Sequence, residues 1–144
     1  MTLTVVSAEA GELRQVPALA VIHEWPRVSP LIRQALEGEG SYAEGDVALN
    51  CIGGATRLWL VEQGGPCGTV TAVCITEIVN FPRQRKCMLR YLAGSMEAIE
   101  PHISAIEDYA RREGCKVLEG YARKGFVRRM SDWTQKYVVM QKEL

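Results

Sequence analysis

Arg57-Leu-Trp-Leu-Val-Glu62 is followed by Gln63-Gly-Gly-Pro66 and then by a long apolar-rich run from Cys67 to Phe81. Two such runs joined by a Gly-Gly-Pro turn read as a β-hairpin. In the second run, Ala72-Val-Cys-Ile75 is apolar on both sides of the pleat. That pattern marks a central strand covered on both faces. Phe81-Pro82-Arg-Gln-Arg-Lys86 then turns the chain into a third strand, Cys87-Met-Leu-Arg-Tyr-Leu-Ala93. The middle of the chain is therefore the middle of a sheet.

The C-terminal side continues the alternation of elements. Gly94-Ser95 opens a helical region in which Ile99, Ile103, Ile106 and Ala110 recur at helical spacing, and Gly114 stops it. Pro101 either kinks this helix or marks its first turn. Lys116-Val-Leu-Glu119 reads as a short strand. Arg123 to Trp133 reads as an amphipathic helix with Phe126, Met130 and Trp133 on one face, and Lys136 to Lys142 as a last strand.

On the N-terminal side, Leu3 to Ser7 alternates and is predicted as the first strand. Val16-Pro17 starts a helix carrying Leu19, Ile22 and His23 on one face, and Pro26 ends it. Ser29-Pro30 starts another, with Ile32, Ala35 and Leu36 as its stripe and Gly38 and Gly40 as its stop. Asp46 caps a third, Val47 to Ile52, closed by Gly53-Gly54.

The 144 residues suit one domain spanning 1–144, and 47% apolar with 24% charged residues excludes a disordered chain. No apolar run is long enough to span a membrane, and Met1-Thr-Leu-Thr-Val-Val6 lacks the basic start of a signal peptide, so a cytoplasmic location is expected. Cysteines 51, 67, 74, 87 and 115 form no Cys-x-x-Cys pair and read as reduced, mostly buried thiols. His23 and His102 have no partners at ligand spacing, so no metal site is expected. Net charge is zero, but residues 1–50 hold seven acids and three arginines, a balance of −4 that leaves +4 on the remainder. That asymmetry orients an anionic ligand toward the C-terminal half and is far too weak for nucleic acid. The three tryptophans, Trp25, Trp59 and Trp133, are expected in the core, as are Tyr91 and Tyr137.

In this order of elements the chain resembles the GNAT superfamily of N-acetyltransferases. The words that carry the resemblance are Leu58-Trp59, Thr76-Glu77-Ile78 to Phe81-Pro82-Arg83, Tyr91-Leu-Ala-Gly94, Ile106-Glu-Asp-Tyr-Ala110, Glu113-Gly-Cys115, Arg123 to Arg128 and Val139 to Leu144. It is most similar to a small GNAT-like family of bacteriophage genomes. The resemblance implies an α/β fold of the α+β type: a mostly antiparallel central sheet, with splayed fourth and fifth strands, flanked by helices. It also implies acetyl-CoA as co-substrate and a small-molecule or protein amine as acceptor. The pantetheine arm would lie on Cys87–Ala93, and the pyrophosphate on amides that follow it. By position, Tyr91, Ala93, Gly94, Ser95 and Met96 would bind the cofactor, and Glu77 would be the base.

The chain departs from the superfamily in its phosphate loop, which should read Gln/Arg-x-x-Gly-x-Gly/Ala. Here Ala93-Gly94-Ser95-Met96-Glu97 is short, lacks the leading residue and adds a carboxylate. Arg83-Gln-Arg-Lys86 is basic but precedes the strand instead of following it. The departure leaves a second reading: a non-catalytic GNAT-fold protein that binds no CoA and contacts phage structural proteins in a virion or its assembly. Self-association into a homo-oligomer stays open in both readings.

Overall fold

The computed structural model describes residues 11–144. The strand expected at Leu3–Ser7 lies outside them. The first strand observed is β1 (Glu12–Val16), followed by a 3-10 turn (Ala18–Ala20), α1 (Val21–Ala35) and α2 (Glu44–Ile52). Then come β2 (Arg57–Gln63), β3 (Thr69–Asn80) and β4 (Arg85–Gly94). A helical run follows as α3 (Met96–Ile99), a 3-10 turn (Glu100–His102) and α4 (Ile103–Arg112). The last elements are β5 (Val117–Gly120) and α5 (Lys124–Arg129).

The five strands form one sheet in chain order, antiparallel except for the parallel β4–β5 pair. The expected mostly antiparallel sheet flanked by helices is thus present. Helices α1 and α2 cover one face, where Leu58, Leu60, Val73 and Ile75 meet Val28, Ile32, Val47 and Cys51. Helix α4 covers the other, where Trp59, Cys74, Cys87 and Leu89 meet Ile106 and Tyr109. Alternate residues of one strand serve opposite faces, which is why Ala72–Ile75 is apolar throughout. Trp59 meets Tyr109 edge to face at 4.9 Å and donates from Nε1 to Thr76 Oγ1 at 3.0 Å, so its one polar atom is satisfied in the core.

Four local expectations are corrected. Pro26 and Pro30 do not separate two helices; both lie inside α1. Each proline removes one backbone donor, and burial of Val21, Val28 and Ile32 against the sheet offsets that loss. Helix α2 starts earlier, at Glu44, because the Asp46 carboxylate accepts from the Ala43 amide at 2.9 Å from inside the first turn. The helix expected over Arg123–Trp133 ends at Arg129, after which Met130 and Trp133 still pack on the sheet. The strand expected at Lys136–Lys142 is unpaired, and Tyr137 is 85% exposed instead of in the core.

Burial sorts the thiols. Cys51, Cys74, Cys87 and Cys115 are buried and Cys67, on the β2–β3 turn, is exposed. Loss of solvation pushes Cys74 up strongly and Cys87 up to about 12. Titration of the native protein with a thiol-specific disulfide reagent should therefore find one reactive cysteine, and in denaturant all five. Two or more fast thiols in the native state would contradict the packing around Cys74 and Cys87.

Candidate active site

Strands β4 and β5 stay together from Lys86↔Val117 to Leu89↔Gly120 and then part. Strand β4 runs on to Gly94 while β5 ends. The cause is local. Ile75 faces Tyr91 but Thr76 faces Leu89, so Arg90 is an extra residue on β4. A bulge of this kind bends its strand and sharpens the twist. It also reverses the alternation: Leu89 packs under α4, whereas Tyr91 and Ala93 turn to the α1–α2 face. Beyond the bulge, the edge of β4 that β5 covered is left without a strand.

On the α1–α2 face this opening collects polar groups. Glu77 shares the side of β3 used by Val73 and Ile75, and its Oε1 accepts from Arg90 Nε at 2.7 Å. The expected base therefore stands at the bulge, as half of an ion pair. Tyr91 lies further along. Burial first, then the charge of Glu39 and the neighbouring Tyr42, push its phenol up, with Arg90 opposing. Glu39 belongs to the loop between α1 and α2. Its Oε1 accepts from the Ser41 amide at 2.8 Å, while its buried Oε2 makes no hydrogen bond of good geometry although the Tyr91 hydroxyl is near. On the β5 side, Arg123 Nη2 donates to Glu37 O at 3.5 Å and draws the segment after β5 toward the same loop. Glu39 and Tyr42 did not stand out in the sequence, because 52 and 49 residues separate them from Tyr91 and no spacing signals their approach.

The remaining cofactor candidates sit differently. Gly94 has φ +105, and a Cβ there would come 2.3 Å from Thr71 O. Thr71 is itself an extra residue, since Val61 faces Ala72 and Glu62 faces Val70. The Ser95 amide donates to the same Thr71 carbonyl at 3.1 Å. Ser95 Oγ accepts from the Ala98 amide at 3.3 Å and donates to Glu97 Oε2 at 3.0 Å. Glu97 also receives Arg129 Nη1 at 3.0 Å, and Arg129 clasps Glu100 through Nε at 2.7 Å and Nη2 at 3.1 Å. Arg129, then Glu97's own amide and Ser95, hold the Glu97 carboxyl down at about 2. The amides of Ser95, Glu97 and Ala98 are thus already engaged where a phosphate would seek donors. Met96 packs toward the α4 face, away from Tyr91.

No family model matches this chain, and no curated protein matches it in sequence. Solved structures do match its fold. It is similar to the aminoglycoside acetyltransferase meta-AAC0020, from an uncultured soil metagenomic sample, in complex with sisomicin. That match has TM-score 0.68 and 8% identity over 94% of this chain and 97% of that one. A GNAT family acetyltransferase of Staphylococcus aureus matches with TM-score 0.63 and 11% identity, over 92% and 98%. Aminoglycoside N-acetyltransferase AAC(6')-Iy in complex with CoA matches with TM-score 0.63 and 10% identity, over 92% and 95%. The fold is that of the GNAT acetyltransferases. Identities this low speak for fold alone. Among the described residues no helix is long and apolar enough to cross a membrane, and no cluster of His, Cys, Asp and Glu is built to hold a metal.

Proposed function

We propose that this chain is an acetyl-CoA-dependent N-acetyltransferase, or a weak relative, whose amine acceptor sits on the α1–α2 face of the splay. The observation that carries the reading is the uncovered edge of β4 beyond the Arg90 bulge, with Glu77 and Tyr91 facing the same side. The thioester arm would pair with backbone groups of Tyr91 and Ala93, as an added strand does. The amine nitrogen attacks the thioester carbonyl carbon, a C–N bond forms and the C–S bond breaks. Glu77 takes the amine proton, and Tyr91, whose raised pKa keeps it protonated, gives its proton to the departing thiolate. Both residues return to their starting states through solvent.

One observation favours a second reading. The amides of Ser95, Glu97 and Ala98, where the pyrophosphate should sit, are already engaged, and Glu97 already occupies Arg129. A GNAT-fold protein that binds no CoA and contacts other proteins, phage structural proteins among them, would need no free cradle.

Calorimetric titration with acetyl-CoA separates the two. Saturable one-to-one binding in the micromolar range supports the enzyme, and no heat at millimolar ligand supports the binding protein. Under the enzyme reading, Glu97→Gln should tighten acetyl-CoA by about threefold, because it removes an anion that competes for Arg129 at low salt. Equal or weaker binding would place the phosphates elsewhere.

A further inference from the structure

The sheet carries a second cleft, on the α4 face and at the end of β4 opposite to the splay. Thr76 and Asn80 of β3 turn to this face because they alternate with Glu77. With Arg57 of β2, Arg85 of β4, and Tyr109 and Glu113 at the end of α4, they line a cleft of about 210 Å³. That is room for about seven waters, or for one small metabolite.

The charged groups of the cleft do not pair with one another. Among the described residues, Arg57, Arg85 and Glu113 form no ion pair. Arg57 Nη1 donates to Gly54 O at 2.6 Å, which fixes the guanidinium but leaves its charge without a counter-ion. Arg85 Nη1 donates to Asn80 Oδ1 at 3.2 Å, while its Nε is buried and has no acceptor. A buried charged donor without an acceptor is costly, and a bound anion removes that cost. Three carbonyls at the end of α4 are already engaged: those of Tyr109, Ala110 and Arg111 accept from the amides of Glu113, Cys115 and Gly114.

The cleft also holds the opposite charge. Tyr109 is 8% exposed, and among the described residues its hydroxyl is in no hydrogen bond. Burial first, then the carboxylate of Glu113, push its phenol up, and Arg57 opposes them. The hydroxyl therefore stays protonated, a donor in the fields of one anion and one cation. Glu113 is exposed at the mouth, and the Arg85 Nε is buried inside. An inorganic anion would satisfy the guanidiniums and be repelled by Glu113. A ligand that carries a cation next to its anion suits both.

We propose that this cleft binds a small zwitterion of the free amino acid class, with its carboxylate on Arg85 and Arg57 and its ammonium on Glu113. Arg85 offers the planar fork that carboxylates match, and Tyr109 adds a neutral donor. The site is separate from the proposed place of acetyl transfer, because Glu77 and Tyr91 face the α1–α2 side and the cleft opens on the α4 side. It does not require acetyl-CoA.

The test screens the free L-amino acids one at a time by thermal unfolding of the full chain. Acetate, methylammonium and inorganic phosphate are the probes that carry one sign of charge. At least one amino acid should raise the unfolding midpoint in a saturable way, and the three probes should not at the same concentration. Amide resonances of residues 54–57, 76–80 and 109–113 should shift on binding. Glu113→Gln and Arg85→Lys should each weaken the amino acid by about tenfold or more. Glu113 is exposed, so its amide variant keeps the fold and reads the charge alone. Arg85→Lys keeps the charge and removes the fork. No stabilisation by any amino acid overturns the proposal. Equal stabilisation by phosphate or acetate overturns it too, as does unchanged affinity in either variant. Shifts confined to Glu77, Tyr91 and their neighbours also overturn it, because the amino acid would then be an acetyl acceptor.

Discussion

Replacing Gly94 by alanine is expected to destabilise the fold by about 3–5 kcal/mol, a loss that few single substitutions outside a large core side chain reach. Two effects add. Gly94 has φ +105, where a side chain is strained by about 1–3 kcal/mol whatever the space. A Cβ would also lie 2.3 Å from Thr71 O and 2.7 Å from Ala72 Cα, both backbone atoms that cannot swing away. The expected readout is a urea midpoint shifted far down with the slope unchanged. Gly125→Ala, at a glycine where an added Cβ meets nothing within 4 Å, is the control and should shift the midpoint little. A Gly94→Ala midpoint within error of wild type would show that β3 is free to move away from the end of β4. This prediction changes how Gly94 bears on function. Loss of acetyl-CoA binding in a Gly94 variant would report the collapse of the β3–β4 junction, not a missing phosphate contact. Glu97 and Tyr91 are the cleaner probes.

Glu62→Gln is expected to cost about 3 kcal/mol, since removing one partner strands the others. The Glu62 side chain, near the end of the interior strand β2, is 5% exposed. Its Oε1 accepts from Arg14 Nε at 2.7 Å, and its Oε2 meets Arg27 Nη1 at 2.8 Å. Glu24 completes the ring, with Arg14 at 2.9 Å and Arg27 at 2.7 Å. Without the Glu62 carboxylate, two guanidiniums share one remaining acid. The same network predicts a pH dependence. Burial pushes the Glu62 carboxyl up, but hydrogen bonds from Arg14 and Arg27 outweigh it and hold the native value below the ordinary 4.5. A carboxyl that is more acidic in the folded state contributes stability that is complete above the unfolded value and is lost as pH falls through the folded one. Wild-type stability should therefore decline on acidification below about pH 4.5. Glu62→Gln should lack that component, so the two stability curves should converge at low pH. Parallel curves would show that another acid governs the acid limb.

The central strands are legible in the sequence because their signals are local. Leu58–Glu62, Cys67–Phe81 and Cys87–Ala93 lie within a few residues of β2, β3 and β4. Their glycine and proline turns are written into the sequence between them. The prolines of α1 misled for the same reason. Pro26 and Pro30 are local breakers, and only the burial of Val28 and Ile32 beneath them reveals one continuous helix. The Asp46 signal was real and misplaced by a few residues, which is the ordinary tolerance of a helix end.

The candidate site was legible in part. Glu77 and Tyr91 were named by position in the resemblance, and they share one face because an odd residue, Arg90, lies between their partners. No periodicity predicts a bulge. Glu39 was invisible as a site residue, and nothing in the sequence paired Arg129 with Glu97. Tyr91 is remote from Glu39 in sequence and Arg129 from Glu97, and an approach of that kind is a product of packing.

By itself, the sequence determined that a sheet of central apolar strands is covered on both faces by helices, in the order that the GNAT acetyltransferases use. Hydrophobic spacing and turn residues act over a few positions, so they are readable along one chain. The tertiary structure alone decided where β4 bulges, why Gly94 has no room for a side chain and which acid meets Arg129. Each of these depends on a partner tens of residues away, and register between distant segments is settled by packing, not by the neighbours of a residue.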